Sequence, residues 1–298
     1  MMDAPRRLVM LHSRSTPRGA RHHMAARIAD HLAERGTEII HLQGTDVFVP
    51  ADAVFVHVDL SVLPQAYAQF AQRYPLQLNA RAQDIRKRVY ADGLLERGEA
   101  YDGPVIVKTD LNYGGAPEHF ERSPAARMAR RLARLLRGAP APVIRSKADY
   151  RVFAALADVP QACFTPENVV QKLVVEMADG KHVLREYLFL GDLHYENIER
   201  SGNVIITEDE HVSCRPFVPH PRLLAVRRKL NLDYGKIDYV MAGGEPFIFD
   251  ANKTPGIGAA KDPDELSTDM HLMLEAFAGE MLRLLNTPDA ASVTEPGA

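Results

Sequence analysis

The sequence predicts an α/β protein in two parts: a parallel-sheet domain at the N-terminus, then a larger α+β region of isolated strands and glycine turns. Three observations carry that prediction. Over the first third, short aliphatic or β-branched runs alternate with stretches whose apolar residues recur at helical spacing. Beyond residue 100 the pattern changes to strands bounded by glycine-containing turns. The 298 residues, 46% hydrophobic and 25% charged, supply enough apolar surface for one large core or two to three small ones.

Leu8 to Leu11 is a short apolar run that ends in a polar loop rich in Arg, Ser, Pro and Gly. Helical spacing from Met24 to Leu32 stops at Gly36. Glu38 to Leu42 and Val54 to Val58 read as strands, Pro64 to Tyr74 as a helix and Leu76 to Leu78 as a strand. A βαβ-type parallel sheet accommodates them, with ligands expected beyond the carboxyl ends of its strands. The first domain is taken as 1–79 and the second as 80–286. A helix is expected from Ala80 to Leu95. Val105 to Val107 reads as a strand ending at Lys108, followed by the loop Thr109-Asp110-Leu111-Asn112-Tyr113-Gly114-Gly115. Ser123 before Pro124 is an N-cap and first-turn signal for a helix closing at Gly138. Strands follow at Val169 to Val175 and Val183 to Leu190, then a hairpin pairing Lys236–Met241 with Pro246–Asp250 around Ala242-Gly243-Gly244-Glu245. The last helix is expected from Asp264 to Leu285, and the tail 287–298 is expected to be disordered.

A formal net charge of −3 excludes a protein that coats nucleic acid or a membrane surface through its overall field, so any strong interaction comes from local clusters. The two cysteines, Cys163 and Cys214, are too far apart for a CxxC motif and are expected as buried, reduced thiols. The first residues lack a signal-peptide pattern and no apolar stretch is long enough to span a bilayer, which makes the cytoplasm the default compartment. His211, Cys214 and His220 resemble metal ligands in type, but Pro216 and Pro219 make that segment read as a loop.

The strongest chemical signal is K-I-D-Y-V-M-A-G-G-E-P-F-I-F-D-A-N-K-T-P-G, Lys236 to Gly256. Alternation along a strand points Asp250 and Asn252 the same way, and the tight turn sets Asp238 across from them. Three hard oxygen ligands in one place are the partial cage that Mg2+ accepts while keeping positions for water and phosphate oxygens. An isolated D-x-N would read as an acidic surface edge. Here Phe247, Ile248 and Phe249 lead into Asp250, so the strand is expected to be buried, where an unpaired carboxylate is costly.

This segment resembles the C-terminal signature of the ATP-grasp superfamily of carboxylate–amine ligases, which includes glutathione synthetase, D-alanine:D-alanine ligase and ribosomal-protein glutamate ligase. The resemblance implies a pre-ATP-grasp domain over 1–79, an ATP-grasp fold of two α+β subdomains over 80–286, and ATP with Mg2+, or Mn2+ in its place, as cofactors. It implies Asp238, Asp250 and Asn252 as metal ligands, with Asp250 standing where the family has a glutamate. The strand Gly103 to Lys108 is similar to the one whose terminal lysine contacts the ATP phosphates. Asn112, Gly114 and Gly115 fall in the loop that covers the phosphates in the family, although D-L-N-Y-G-G departs from the usual Gly-Ser-rich cover. Lys87 takes the place of the other phosphate-directed lysine, and a solvated basic face with Arg86 and Arg88 is the competing reading. Gln171, Lys172, Leu173 and Val174 resemble the adenine hinge, and Glu176 the acid on the ribose hydroxyls. Arg185 matches an arginine aimed at the transferred phosphoryl group. Lys236 stands where D-alanine:D-alanine ligase has an arginine, against the alternative of an edge residue paired with Asp233. Arg14, His57, Lys253 and Gly256 are weaker substrate candidates.

The chemistry so implied is ATP-dependent conversion of a carboxylate to an acyl phosphate, then attack by an amine. Two other classes remain open at the level of sequence: a phosphotransferase acting on a small molecule, and a non-catalytic nucleotide-binding or partner-binding protein. No G-x-G-x-x-G follows the first strand, which disfavours a dinucleotide oxidoreductase. Arg127, Arg130, Arg131, Arg134 and Arg137 on the expected helix 124–137 read either as a solvated face or as a docking face for an acidic partner. Small-molecule or peptide acid and amine substrates are the expected partners, nucleic acid and membrane are not, and a homodimer is an option.

Overall fold

The computed structural model describes residues 5–14, 16, 22–121, 125, 128, 144, 146–206, 210–257 and 266–287. The expected arginine-rich helix 124–137 and the tail beyond Thr287 lie outside the described residues, apart from the isolated positions 125 and 128.

The N-terminal sheet is parallel, in the order β2-β1-β3-β4, from β1 (Arg7–His12), β2 (Glu38–Gln43), β3 (Ala53–Val56) and β4 (Leu76–Leu78). Helices α1 (Met24–Glu34) and α2 (Gln65–Ala71) connect its strands. The central strands β1 and β3 are almost wholly buried because both sheet faces are covered, as their uninterrupted aliphatic runs require. On one face α1 buries Met24, Ala25, Ile28 and Leu32 in a core shared with the last helix, numbered α6 below; on the other, Phe70, Tyr67 and Tyr74 pack on Val9, Leu11, Val54 and Val56.

Between residues 79 and 95 the expected long helix is not formed. A single turn, α3 (Lys87–Tyr90), and the two-residue strand β5 (Leu94–Leu95) stand in its place. The reason is where the backbone groups go: Leu63 N donates to Gln83 O, Ile85 N to Ser61 O, Lys87 N to Asp110 O and Asp92 N to Ile248 O. Each of these links is made to a distant segment, so the i to i−4 ladder is never assembled.

A second sheet, order β5-β8-β6-β7, is antiparallel and contains β6 (Val105–Thr109), β7 (Arg151–Phe153) and β8 (Asn168–Lys172). The loop after β6 tightens into a 3-10 turn, Asn112–Gly115, and a short helix, α4 (Ala116–Glu121). The third sheet is the largest: β12-β11-β10-β13-β14, with β9 paired to β10. Its strands are β9 (Glu176–Ala178), β10 (Lys181–Leu190), β11 (Leu193–Ser201), β12 (Glu210–Pro216), β13 (Tyr234–Ala242) and β14 (Glu245–Asn252). Residues 210–216, expected as a loop, are thus an edge strand. Helix α5 (Pro221–Leu230) covers one face of this sheet, while α6 (Thr268–Asn286) joins the other face to the N-terminal sheet through Met273, Leu274, Phe277 and Met281. Among the described residues no helix is long and apolar enough to cross a membrane. Both cysteines are free and buried.

Candidate active site

Two sheets face each other across a cleft of about 800 Å³ of free space, its mouth included. From the β6–β8 sheet come Ile106, Lys108 and Gln171; from the large sheet come Leu184, Asp238, Val240, Phe247, Phe249 and Asp250. The segment 172–176 that links the two sheets closes one end.

The hairpin β13–β14 sets the chemistry. Asp238 pairs directly with Asp250, and Lys236 with Asn252. A register shift between Asp238 and Tyr239 leaves Phe249 as an extra residue, since Tyr239 pairs with Ile248 and Val240 with Phe247. This β-bulge changes the parity of the strand, so that Phe247 and Asp250 both reach the cleft although they are three residues apart. It also turns the Phe249 carbonyl toward the neighbouring sheet, where it accepts a hydrogen bond from Lys108 Nζ at 2.9 Å.

Across the adjacent strand, Glu186 pairs with Asp238, so three carboxylates stand side by side on β10, β13 and β14. Lysines separate the charges. Lys87, 1% exposed, lies 3.1 Å from Asp250 Oδ1 and donates to the Leu111 carbonyl at 3.2 Å. Tyr90 OH donates to the same Asp250 oxygen at 3.3 Å. Lys236 bridges Glu186 and Asp238, standing 3.2 Å from Asp238 Oδ1. That oxygen is buried, and the Lys236 ammonium is its charged partner.

Electrostatics follow from these neighbours. Burial works against ionisation of Asp250, but Lys87 and Lys108 outweigh it and hold its carboxyl below the ordinary value. Burial pushes Asp238 up to about 6 against the attraction of Lys236, with Glu186 and Asp250 adding repulsion. Lys108 is brought down to about 7 by burial, with the like charge of Lys87 adding to it.

At the closed end, Lys172 N donates to Gly93 O and Leu173 N to Pro104 O. Val174 N has no backbone partner among the described residues and borders the cleft. His182 Nδ1 is also buried, without a partner, at this end. Gln171 is committed elsewhere, donating to Asp92 O at 2.6 Å.

The structure brings together Lys87, Lys108, Asp238, Asp250, Lys236 and Asn252. Lys236 pairs with Glu186 and Asp238 rather than with Asp233. Asn252 faces the same side as Asp250, and its Oδ1 accepts from Thr254 N at 2.8 Å. Arg185 is not with them. It pairs with Tyr239 in register, on the face opposite Asp238, and is held there by Glu176 at 2.7 Å and Glu196 at 3.1 Å. Strand parity explains the displacement, because Glu186 takes the cleft side. The Glu176 carboxylate is consumed by this pair and by Met241 N at 2.7 Å.

Among the described residues of the loop 109–115, Leu111, Asn112, Gly114 and Gly115 do not line the cleft. Asn112 Nδ2 donates to Ala251 O at 3.1 Å, and Asn112 N donates to Ser61 Oγ at 2.9 Å. Gly114 and Gly115 both have positive φ in the 3-10 turn. Of the weaker candidates, Arg14 pairs with Asp46 at the surface and Gly256 bridges to His23. Lys253 is fully buried with Nζ 3.3 Å from Ala82 O, and His57 is fully buried with neither ring nitrogen bonded. Glu186, Tyr90, Lys147, Tyr150 and His182 escape sequence reading. Only Glu186, adjacent to Arg185, carries a local signal. Among the described residues no cluster of three His, Cys, Asp or Glu side chains forms a metal site.

No family model and no curated protein matches the chain. It is similar to the solved structure of D-alanine–D-alanine ligase from Bacillus anthracis, at 10% identity over 93% of this chain and 98% of that one, with a TM-score of 0.42. It is also similar to a RimK domain ATP-grasp protein from Sphaerobacter thermophilus, at 14% identity, 90% and 98% coverage and TM-score 0.41. For VanG D-Ala:D-Ser ligase from Enterococcus faecalis the values are 12% identity, 94% and 99% coverage and TM-score 0.47. At these scores the likeness carries no functional weight, and the side chains of the cleft carry the reading that follows.

Proposed function

We propose that the chain is an ATP-grasp carboxylate–amine ligase that binds ATP in the cleft, activates a carboxylate as an acyl phosphate and passes the acyl group to an amine. The observation that carries this is the facing pair Asp238–Asp250 set among the buried lysines Lys87, Lys108 and Lys236, at one end of a cleft whose other end is apolar. Leu184, Val174 and Val204 suit a purine face, and the Val174 amide suits a donor to its edge. Lys108 and Lys87 suit phosphate oxygens.

Asp238, Asp250 and Asn252 would hold Mg2+, or Mn2+ in its place. The fit rests on the hard oxygens of Asp238, Asp250 and Asn252 on one face of the hairpin. Bound there, the ion would neutralise phosphate charge. The remaining work falls to the chain itself. Lys108 offers a donor to the phosphates, and Lys236, fixed by Glu186, keeps a cation beside the reacting end. Asn252 leads through Thr254 to Asp59, whose Oδ1 accepts from Thr254 Oγ1 at 2.8 Å. The acid and amine would bind beyond Asn252, toward Asp59, Lys253 and the ends of β1 and β3. The ends of the parallel strands are where an open α/β sheet receives ligands. Arg185 has no part in this mechanism.

The test is hydroxylamine trapping. Protein, ATP, Mg2+ and a panel of carboxylic acids are expected to release ADP in an acid-dependent way and to yield a hydroxamate. ADP release with a phosphorylated product that hydroxylamine does not attack would assign a phosphotransferase instead.

A further inference from the structure

Two side chains at the charged end of the cleft have no part in the mechanism above. Lys147 opens the 3-10 turn Lys147–Asp149, and Tyr150 follows it. The turn is fixed by Ser146, whose N and Oγ donate to Asp149 Oδ2 at 3.0 and 3.2 Å. The register that pairs Val107 with Arg151 brings Tyr150 up beside Lys108, and both line the cleft. Lys147 Nζ donates at 3.1 Å to the Ile206 carbonyl, which belongs to the opposite wall. It thereby spans the mouth, and an ammonium with one donor so used keeps two more.

The segment expected to cover the phosphates is tied down elsewhere. Leu111 O accepts from Lys87, Asn112 bonds Ala251 and Ser61, and Glu118 Oε1 accepts from Ser61 N at 2.8 Å. Neither Leu111, Asn112, Gly114 nor Gly115 lines the cleft.

We propose that Lys147 and Tyr150 contact the β- and γ-phosphoryl oxygens of the bound nucleotide and cover them in place of the glycine loop. The assignment rests on the nucleotide reading of the cleft. It agrees with the charges: Lys147 is among the groups acting on Lys108, Glu186 and Asp238, and burial pushes the Tyr150 hydroxyl up to about 12, so it remains a donor at neutral pH.

The experiment is calorimetric titration of the full chain with AMP-PNP, ADP and AMP in the presence of Mg2+, for the wild type, Lys147→Ala, Lys147→Arg and Tyr150→Phe. Lys147 is exposed and Tyr150→Phe keeps the ring, so both sites tolerate change without loss of the fold. Loss of a charge-assisted hydrogen bond predicts a roughly tenfold or greater loss of AMP-PNP affinity in Lys147→Ala, a smaller loss for ADP and less than about twofold for AMP. Lys147→Arg retains most of the affinity, and Tyr150→Phe loses a few-fold on AMP-PNP alone. Equal losses for all three nucleotides would assign these residues to cleft shape and overturn the proposal, as would unchanged AMP-PNP binding. Wild-type protein that binds none of the three overturns the nucleotide reading and this assignment with it.

Discussion

The carboxylate row and a cluster of histidines meet at one short segment, Asn252 to Thr254, yet they answer burial in opposite ways. In the row, Asp250, Asp238 and Glu186 are interleaved with Lys87, Lys108 and Lys236, so opposite charge works against burial, outweighing it at Asp250 and Glu186 but not at Asp238 or Lys108. In the cluster, His12, His23 and His57 pack ring against ring at centroid distances of 4.8 to 5.7 Å, beside His22 and His41. Here the rings give up their protons instead: burial and the neighbouring rings lower His12 and His23 to about 4. The first arrangement keeps opposite charges buried side by side. The second supplies a neutral wall, with His23 Nδ1 3.0 Å from Thr254 O.

Removing one member of the charged row should show the largest effect. Asp250→Ala leaves Lys87 buried without its carboxylate, at a cost of about 3–5 kcal/mol in urea unfolding at neutral pH. Adding Lys87→Met should restore a large part of it. A loss below about 1 kcal/mol would mean the row is not held together by opposite charge.

The histidines predict a pH dependence of defined sign. Between 6.5 and about 4 the unfolded chain protonates His12 and His23 while the folded chain does not, so stability falls on acidification. The size is roughly 3 kcal/mol per histidine. Asp59 and Asp238, both raised to about 6 chiefly by burial, take up protons in the folded state first and act with opposite sign between 3.8 and 6. The cluster's share is therefore read by difference. His12→Asn/His23→Gln should lose less stability than the wild type between pH 7 and pH 4.5, and superimposable profiles would remove the distinction between the clusters.

A smaller effect is expected at Gly235, which lies at φ +158 and whose added Cβ would meet the Asn252 carbonyl oxygen at 2.5 Å. Gly235→Ala should cost on the order of 1–3 kcal/mol in thermal or urea unfolding, because backbone must move. His57→Leu is expected to be the mildest: a ring with two unbonded nitrogens is replaced by an apolar side chain, with stability unchanged or raised at pH 7. A loss above about 2 kcal/mol would show that His57 is satisfied by a group such as bound water.

Much of this architecture is legible in the sequence alone. The runs at β1 to β4 and the helix α1 are periodic because each buries one continuous face, and alternation points Asp250 and Asn252 the same way, whereas the bulge at Phe249 that brings Asp238 opposite Asp250 is not encoded by spacing. What escapes reading is set by distant partners. Leu193 to Ser201 carries Glu196, Asn197 and Ser201 at buried positions, polar because Arg185, Tyr239 and Glu186 answer Glu196 and Asn197. Its hydropathy therefore hides a strand. The stretch 80–95 has helical composition, but its amides bond to segments remote in sequence. Arg185 enters the site by resemblance, and the parity that puts Glu186 rather than Arg185 on the cleft is visible only once β10 is registered against β13. Lys147 and Tyr150 reach Lys108 through sheet pairing, which no local spacing encodes.

If the facing carboxylates and buried lysines form the proposed Mg2+-dependent ATP site, nucleotide affinity depends on the ion and on Asp238 and Asn252. Calorimetric titration with AMP-PNP, with and without Mg2+, tests it most directly, using the wild type and Asp238→Asn/Asn252→Ala, which leaves the Lys87–Asp250 pair intact. Binding that strengthens with Mg2+ in the wild type and loses that dependence in the variant is the predicted result. Equal binding with and without Mg2+ in both proteins, or no binding in either, would contradict it.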